Sequence, residues 1–89
     1  MGEVLLKYRL APEEGVDVAS LEAKVRKALP AAIGKVSKAE VQPFVFGMKV
    51  LVVSLIVQDE EGNNDKVEQM LQSIAGVAGS ELLDMGRLM

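Results

Sequence analysis

The spacing of hydrophobic residues changes from segment to segment along this chain, and that succession constrains the fold more than any single residue. Val4, Leu6, Tyr8 and Leu10 share one parity while Glu3, Lys7 and Arg9 share the other, with Leu5 the exception. This is the alternation of a strand with one buried face. Pro12 and Gly15 break it. Val18, Leu21, Val25, Ala28 and Leu29 then recur at steps of three and four, which makes one apolar helical face. Asp17 is placed to cap that helix, Glu22 and Arg26 pair one turn apart, and Pro30 helps to stop it.

Alternation returns more weakly, with Ser37, Ala39 and Val41 on one side and Lys38, Glu40 and Gln42 on the other. The charges suit an edge strand. The run MKVLVVSLIV after Gly47 is strongly β-branched, QDEEGNN is a polar loop, and NDKVEQMLQSIAGV has helical spacing. Asn64 is the expected cap of that second helix, Val67, Met70, Leu71 and Ile74 its buried stripe, and Gly76 its stop. A last strand, loosened by Gly79 and Gly86, closes the order β-α-β-β-α-β. That order predicts an α+β, ferredoxin-like sandwich: a four-stranded antiparallel sheet with two helices on one face. At 89 residues, with no repeat or linker, residues 1–89 are expected to form a single domain.

One detail strains the simplest version. If Leu51, Val53, Leu55 and Val57 face the helices, Val50, Val52 and Ile56 fall on a sheet face that nothing in the chain covers. Either neighbouring side chains shield them, or that face meets a partner or a second copy.

The residue types present narrow the chemistry. The chain has no cysteine and no histidine, so it has no disulfide, no thiolate metal site and no imidazole base or ligand. Its ten Lys and Arg are scattered among thirteen Asp and Glu, for a net charge of −3, a poor balance for binding nucleic acid. Asp59, Glu60, Glu61 and Asp65 gather before the second helix. Their spacing is not that of an EF-hand loop, and the helix dipole alone favours acids there, so no metal is expected. There is no phosphate-binding glycine loop of the P-loop type, and no cofactor is expected. The apolar run Val50–Val57 is too short to span a membrane, and the N-terminus lacks the plan of a signal peptide, so a cytoplasmic location is expected.

Against this background PFVFGMK stands out. The chain has two phenylalanines and one tyrosine, and both phenylalanines sit between a proline and a glycine, where the backbone should turn. Phe44, Phe46 and Met48 share one parity. Phe44 is expected to fold back over the edge of the core, and Phe46 to stand out at a hairpin tip. A phenylalanine filling a partner's pocket contributes roughly 1.5–3 kcal/mol, enough for a hot spot.

The same residues carry a resemblance. PFVFGMKVL, followed by VVSLIVQDEEG and NDKVEQ, resembles the guanine-nucleotide exchange domain of translation elongation factor 1-beta, in its free-standing archaeal form. The similarity extends to GEVLLKYRL and VDVASLEAKV, and so over nearly the whole chain. It implies the βαββαβ sandwich read above and a definite activity: promoting GDP release from elongation factor 1-alpha, the GTPase that delivers aminoacyl-tRNA to the ribosome. It implies that Phe46 is the hairpin aromatic that inserts into the GTPase. By the same resemblance Gly47 permits the tight turn, and Met48 and Lys49 belong to the binding tip. Family members also use a basic residue near the C-terminus that reaches toward the magnesium and phosphate region of the partner's nucleotide site. In eukaryotic members it is a next-to-last lysine; here Arg87 takes that place, and Met89 is an extra residue.

A second reading comes from another class: a ferredoxin-like regulatory or assembly module that dimerises through its sheet and binds a small ligand. It rests on Val50, Val52 and Ile56. An RNA-binding version of the fold would want aromatics on its central strands, and VLVVSLIV has none.

Overall fold

The computed structural model describes residues 2–88, and side chains up to residue 86. Four strands and two helices follow in the order expected: β1 (Glu3–Pro12), α1 (Val18–Ala28), β2 (Gly34–Pro43), β3 (Lys49–Gln58), α2 (Asn63–Ser73) and β4 (Val77–Leu88). The strands form one antiparallel sheet in the order β2-β3-β1-β4. Helix α1 packs on β2 and β3, and α2 on β3 and β4. This is the ferredoxin-like sandwich.

The strand alternation decides which side chains meet the helices. Val4, Leu6, Tyr8 and Leu10 from β1 and Leu51, Val53, Leu55 and Val57 from β3 lie in the core with Leu21, Val25, Val67 and Leu71 from the helices. Burying each such side chain stabilises the fold by roughly 1.5–3 kcal/mol. Asp17 caps α1 as its position predicts, its carboxylate accepting from the Ala19 N–H at 3.0 Å. Glu22 and Arg26 pair at 3.3 Å. Helix α1 ends with Leu29 as its C-cap, just before Pro30.

Four local expectations need correction. The cap of α2 is Gly62, in left-handed backbone at φ 84°, rather than Asn64. Asn63 is buried instead, because its side-chain amide donates to the Gln58 carbonyl at 3.0 Å. Ser37 does not share a face with Ala39 and Val41, because a bulge between Val36 and Lys38 leaves it out of the pairing. Val36 therefore joins Ala39 against the core. Met70 and Ile74 are only partly buried, and Ala28 is exposed.

On the open face of the sheet Val50 and Val52 are shielded from within, while Ile56 stays partly exposed. Val50 and Val52 are 2% and 5% exposed although no helix covers them. On that face Val50 is flanked by Gln42, and Val52 by Arg9 and Glu40. These long side chains tie to one another and to β4: Arg9 pairs with Glu81, Lys38 with Glu40, and Gln42 donates to Glu40. Long side chains of this kind cover apolar neighbours with their stems while their polar ends stay in water.

Candidate functional site

The hairpin between β2 and β3 presents the candidate site. Pro43 and Lys49 form its last paired position. Beyond them the Phe44 N–H donates to the Met48 carbonyl at 2.7 Å, and the Met48 N–H to the Val45 carbonyl at 3.1 Å. These bonds close a single tight turn over Val45–Gly47. Within it Phe46 adopts φ 58° and ψ 32°, and Gly47 has φ 73°. Glycine takes such backbone freely, whereas a phenylalanine there costs roughly 1–2 kcal/mol. Phe46 is the single non-glycine with positive φ among the described residues.

The strain puts a large apolar side chain into water. Phe46 is 97% exposed, and Val41, Phe44, Val45 and Met48 on the same hairpin are each at least two-fifths exposed. Large exposed apolar groups gathered at one place mark a contact surface. Because the turn is not extended, Phe44, Phe46 and Met48 do not share a face as their parity suggested. The Phe44 ring turns back beneath the Arg9 guanidinium, 4.8 Å from its centroid. This contact puts the ring on the side of Arg9, the open face of the sheet, rather than over the edge of the core. Met48 instead lines a groove of about 770 Å³ between the hairpin and the start of α1, with Val16, Val18, Val41 and Lys49. Lys49 itself is exposed at the base of the hairpin.

Arg87 is not brought near this tip. Its backbone pairs with Val4, which in turn pairs with Val57, at the end of β3 remote from the hairpin; its side chain, like Met89, lies outside the described residues. Phe46 and the Arg87 backbone thus lie toward opposite ends of the sheet. On β4 between them, Leu82, Leu83 and Met85 are exposed, with Leu83 at a bulge between the partners of Lys7 and Tyr8.

Among the described residues, Tyr8, Lys38 and Glu40 are the titratable groups displaced from their ordinary values. Burial, with Glu68 and Asp65 nearby, pushes the Tyr8 phenol above its ordinary value. A 2.7 Å hydrogen-bonded pair on the surface raises Lys38 and lowers Glu40. Among the described residues no group of three or more acidic side chains is arranged to hold a metal ion. Asp65 lies in the first turn of α2, where the helix dipole favours a negative charge. No helix among them is long and apolar enough to cross a membrane.

Sequence spacing places Phe46 and Gly47 in the turn but misses the Arg9–Phe44 contact and the groove beside the hairpin. Both join segments far apart in the chain, and only the strand register reveals them.

Known proteins match this chain along most of its length. Residues 6–88 fit the family model of the EF-1 guanine nucleotide exchange domain. The chain is 33% identical to elongation factor 1-beta of Methanosarcina barkeri, covering 99% of this chain and 100% of that one. It is 36% identical to elongation factor 1-beta of Methanobrevibacter smithii, covering all of both. Among solved structures, the ACT domain from GTP pyrophosphokinase of Chlorobium tepidum superposes with a TM-score of 0.63 at 14% identity, over 91% of this chain and 99% of that one. That likeness concerns the fold alone. On the family match and the full-length relatives, the chain belongs to the EF-1 guanine nucleotide exchange domain family.

Proposed function

We propose that this protein promotes release of GDP from elongation factor 1-alpha, and that the hairpin tip is its docking element. The observation that carries this reading is Phe46, an aromatic side chain held 97% exposed by left-handed backbone. Strained backbone persists where the surrounding structure imposes it, and such sites cluster where proteins bind or switch. Gly47 at φ 73° lets the chain close beneath Phe46, while Met48 and Lys49 widen the contact into the adjoining groove.

The mechanism is one of linked equilibria. An exchange factor that binds the nucleotide-free GTPase better than the loaded form must weaken nucleotide binding by the same factor. No bond of the nucleotide is made or broken, and the direction of exchange follows the nucleotide pool. Phe46 supplies docking energy and acts as a wedge. Arg87 disturbs the magnesium and phosphate contacts of the partner. A guanidinium is a planar fork where an ammonium is a point charge, so Arg87 addresses phosphate oxygens differently from the lysine of eukaryotic relatives. Because the two residues stand at opposite ends of the sheet, the GTPase is gripped at two separated places.

The test is nucleotide release from the cognate elongation factor 1-alpha with wild-type protein, Phe46→Ala and Arg87→Ala. Wild type accelerates release at substoichiometric amounts, Phe46→Ala requires more protein for half-maximal effect, and Arg87→Ala lowers the maximal rate. Wild-type behaviour of both variants would overturn the assignment.

A further inference from the structure

We infer that Arg9 is a positioning residue for the docking hairpin: it clamps the Phe44 ring against the sheet and thereby presents Phe46. The inference rests on the exchange reading for its functional half only.

Arg9 lies on β1, on the face away from the helices, opposite Val52 of β3 and Glu81 of β4. Its guanidinium is engaged on two sides. One side forms an ion pair with Glu81. The other lies over the Phe44 ring at 4.8 Å from the centroid, within range of a cation–π contact. The three side chains form a strap from β4 over the central strands to the first residue of the turn. Arg9 is only partly exposed, at 30% of its side chain, and the valines beneath it are sealed from solvent.

The position of Phe44 gives the strap its consequence. Its N–H closes the turn onto the Met48 carbonyl, and the left-handed Phe46 lies two residues further on. Past Pro43 and Lys49 the sheet ladder no longer holds the chain. Fixing the Phe44 ring therefore fixes one foot of the turn. A turn carrying an unfavourable backbone conformation relaxes to other conformers when a foot is released, so Phe46 is then presented for only part of the time. Apparent affinity falls with the binding-competent fraction, while the rate within the complex does not.

Two measurements test this on the full chain. Backbone ¹⁵N relaxation of residues 44–48 in the free protein compares wild type, Arg9→Met, which keeps an apolar stem over the valines, Arg9→Lys and Phe44→Leu. Mobility rises in Arg9→Met and Phe44→Leu, and Arg9→Lys restores part of the order. Unchanged order in both Arg9→Met and Phe44→Leu overturns the clamp whatever happens to exchange.

The second measurement is GDP release from elongation factor 1-alpha over a range of factor concentrations. Arg9→Met and Phe44→Leu each raise the half-saturating concentration about two- to fivefold, the size of a partly exposed cation–π contact, with the saturating rate unchanged. The double variant is no worse than either single one. In a Phe46→Ala background the loss of Arg9 has no further effect. A cost that persists in that background means that Arg9 touches the partner itself, and a fall in saturating rate alone means that it does not act through docking; either result overturns the inference. If wild type fails to accelerate release, the exchange reading fails, and the relaxation data still decide the clamp.

Discussion

Phe46 and Arg87 stand at opposite ends of the same sheet: Arg87 lies level with Val57 across β1, and Phe46 just beyond Lys49. The strand steps from Lys49 to Val57 at about 3.3 Å each place these levels roughly 26 Å apart. No single pocket on a partner receives both. Effects at sites this far apart usually add, so Phe46→Ala and Arg87→Ala should combine additively in the logarithm of exchange efficiency. Phe46→Ala acts on the half-saturating concentration and Arg87→Ala on the saturating rate. A double variant much better or much worse than the sum would show that the two act on one contact.

Phe46 combines a conformational cost with full exposure, so binding and folding should respond to its removal in opposite directions. Phe46→Gly relieves the left-handed strain, partly offset by the greater freedom of glycine in the unfolded chain, and should raise stability by about 0.5–1 kcal/mol. The same change removes the proposed docking side chain and should weaken complex formation at least about tenfold. Thermal unfolding together with titration of the nucleotide-free GTPase checks both. A lower melting temperature in Phe46→Gly would show that the ring has a structural role in the free protein.

Gly34, at the start of β2, has no space for a side chain. A Cβ there would run into the Ile56 carbonyl oxygen and come within 2.9 Å of Val57 Cα. Both are backbone atoms of the paired strand and cannot swing aside. Gly34→Ala should therefore cost about 1–3 kcal/mol, the usual range for overpacking. Denaturant unfolding measures this, and exchange activity at a temperature where the variant is folded should stay near wild type.

Tyr8 gives stability an alkaline limit. Its folded-state pKa is raised above 10.0, chiefly by burial and further by Glu68 and Asp65. The unfolded chain therefore releases the phenol proton first as pH rises. Stability is full below about pH 10 and falls as pH climbs through the folded-state value. Lys38, also raised, loses its contribution in the same direction, so the informative quantity is the difference between wild type and Tyr8→Phe. The fall with pH should be shallower in Tyr8→Phe. Phenolate absorbance reports the ionisation directly, because Tyr8 is the one tyrosine in the chain.

The parts of the fold legible in the sequence are those set by local period. Alternation at Val4, Leu6, Tyr8 and Leu10 and helical spacing at Val18, Leu21 and Val25 identify their buried faces without any tertiary information. What was not legible depends on register. The bulge that ejects Ser37 leaves no compositional mark, and it shifts which side chains of β2 face the core. Asn63 and Asn64 are indistinguishable by type, yet only Asn63 reaches the Gln58 carbonyl, and the preceding Gly62 takes the cap. At the site, Pro43 and Gly47 announced a turn, and the scarcity of aromatics made Phe46 conspicuous. The clamp of Arg9 on Phe44 crosses β3 diagonally and becomes visible only when the three strands are aligned.

The central claim is that this chain, through Phe46, is an exchange factor for elongation factor 1-alpha. The most direct measurement follows a fluorescent GDP analogue leaving the cognate GTPase, chased by excess GTP, at substoichiometric amounts of wild-type protein and of Phe46→Ala. Many-turnover acceleration by wild type, with a displaced concentration dependence for Phe46→Ala, is the predicted result. Release at the spontaneous rate in the presence of folded wild-type protein and active GTPase would contradict the claim.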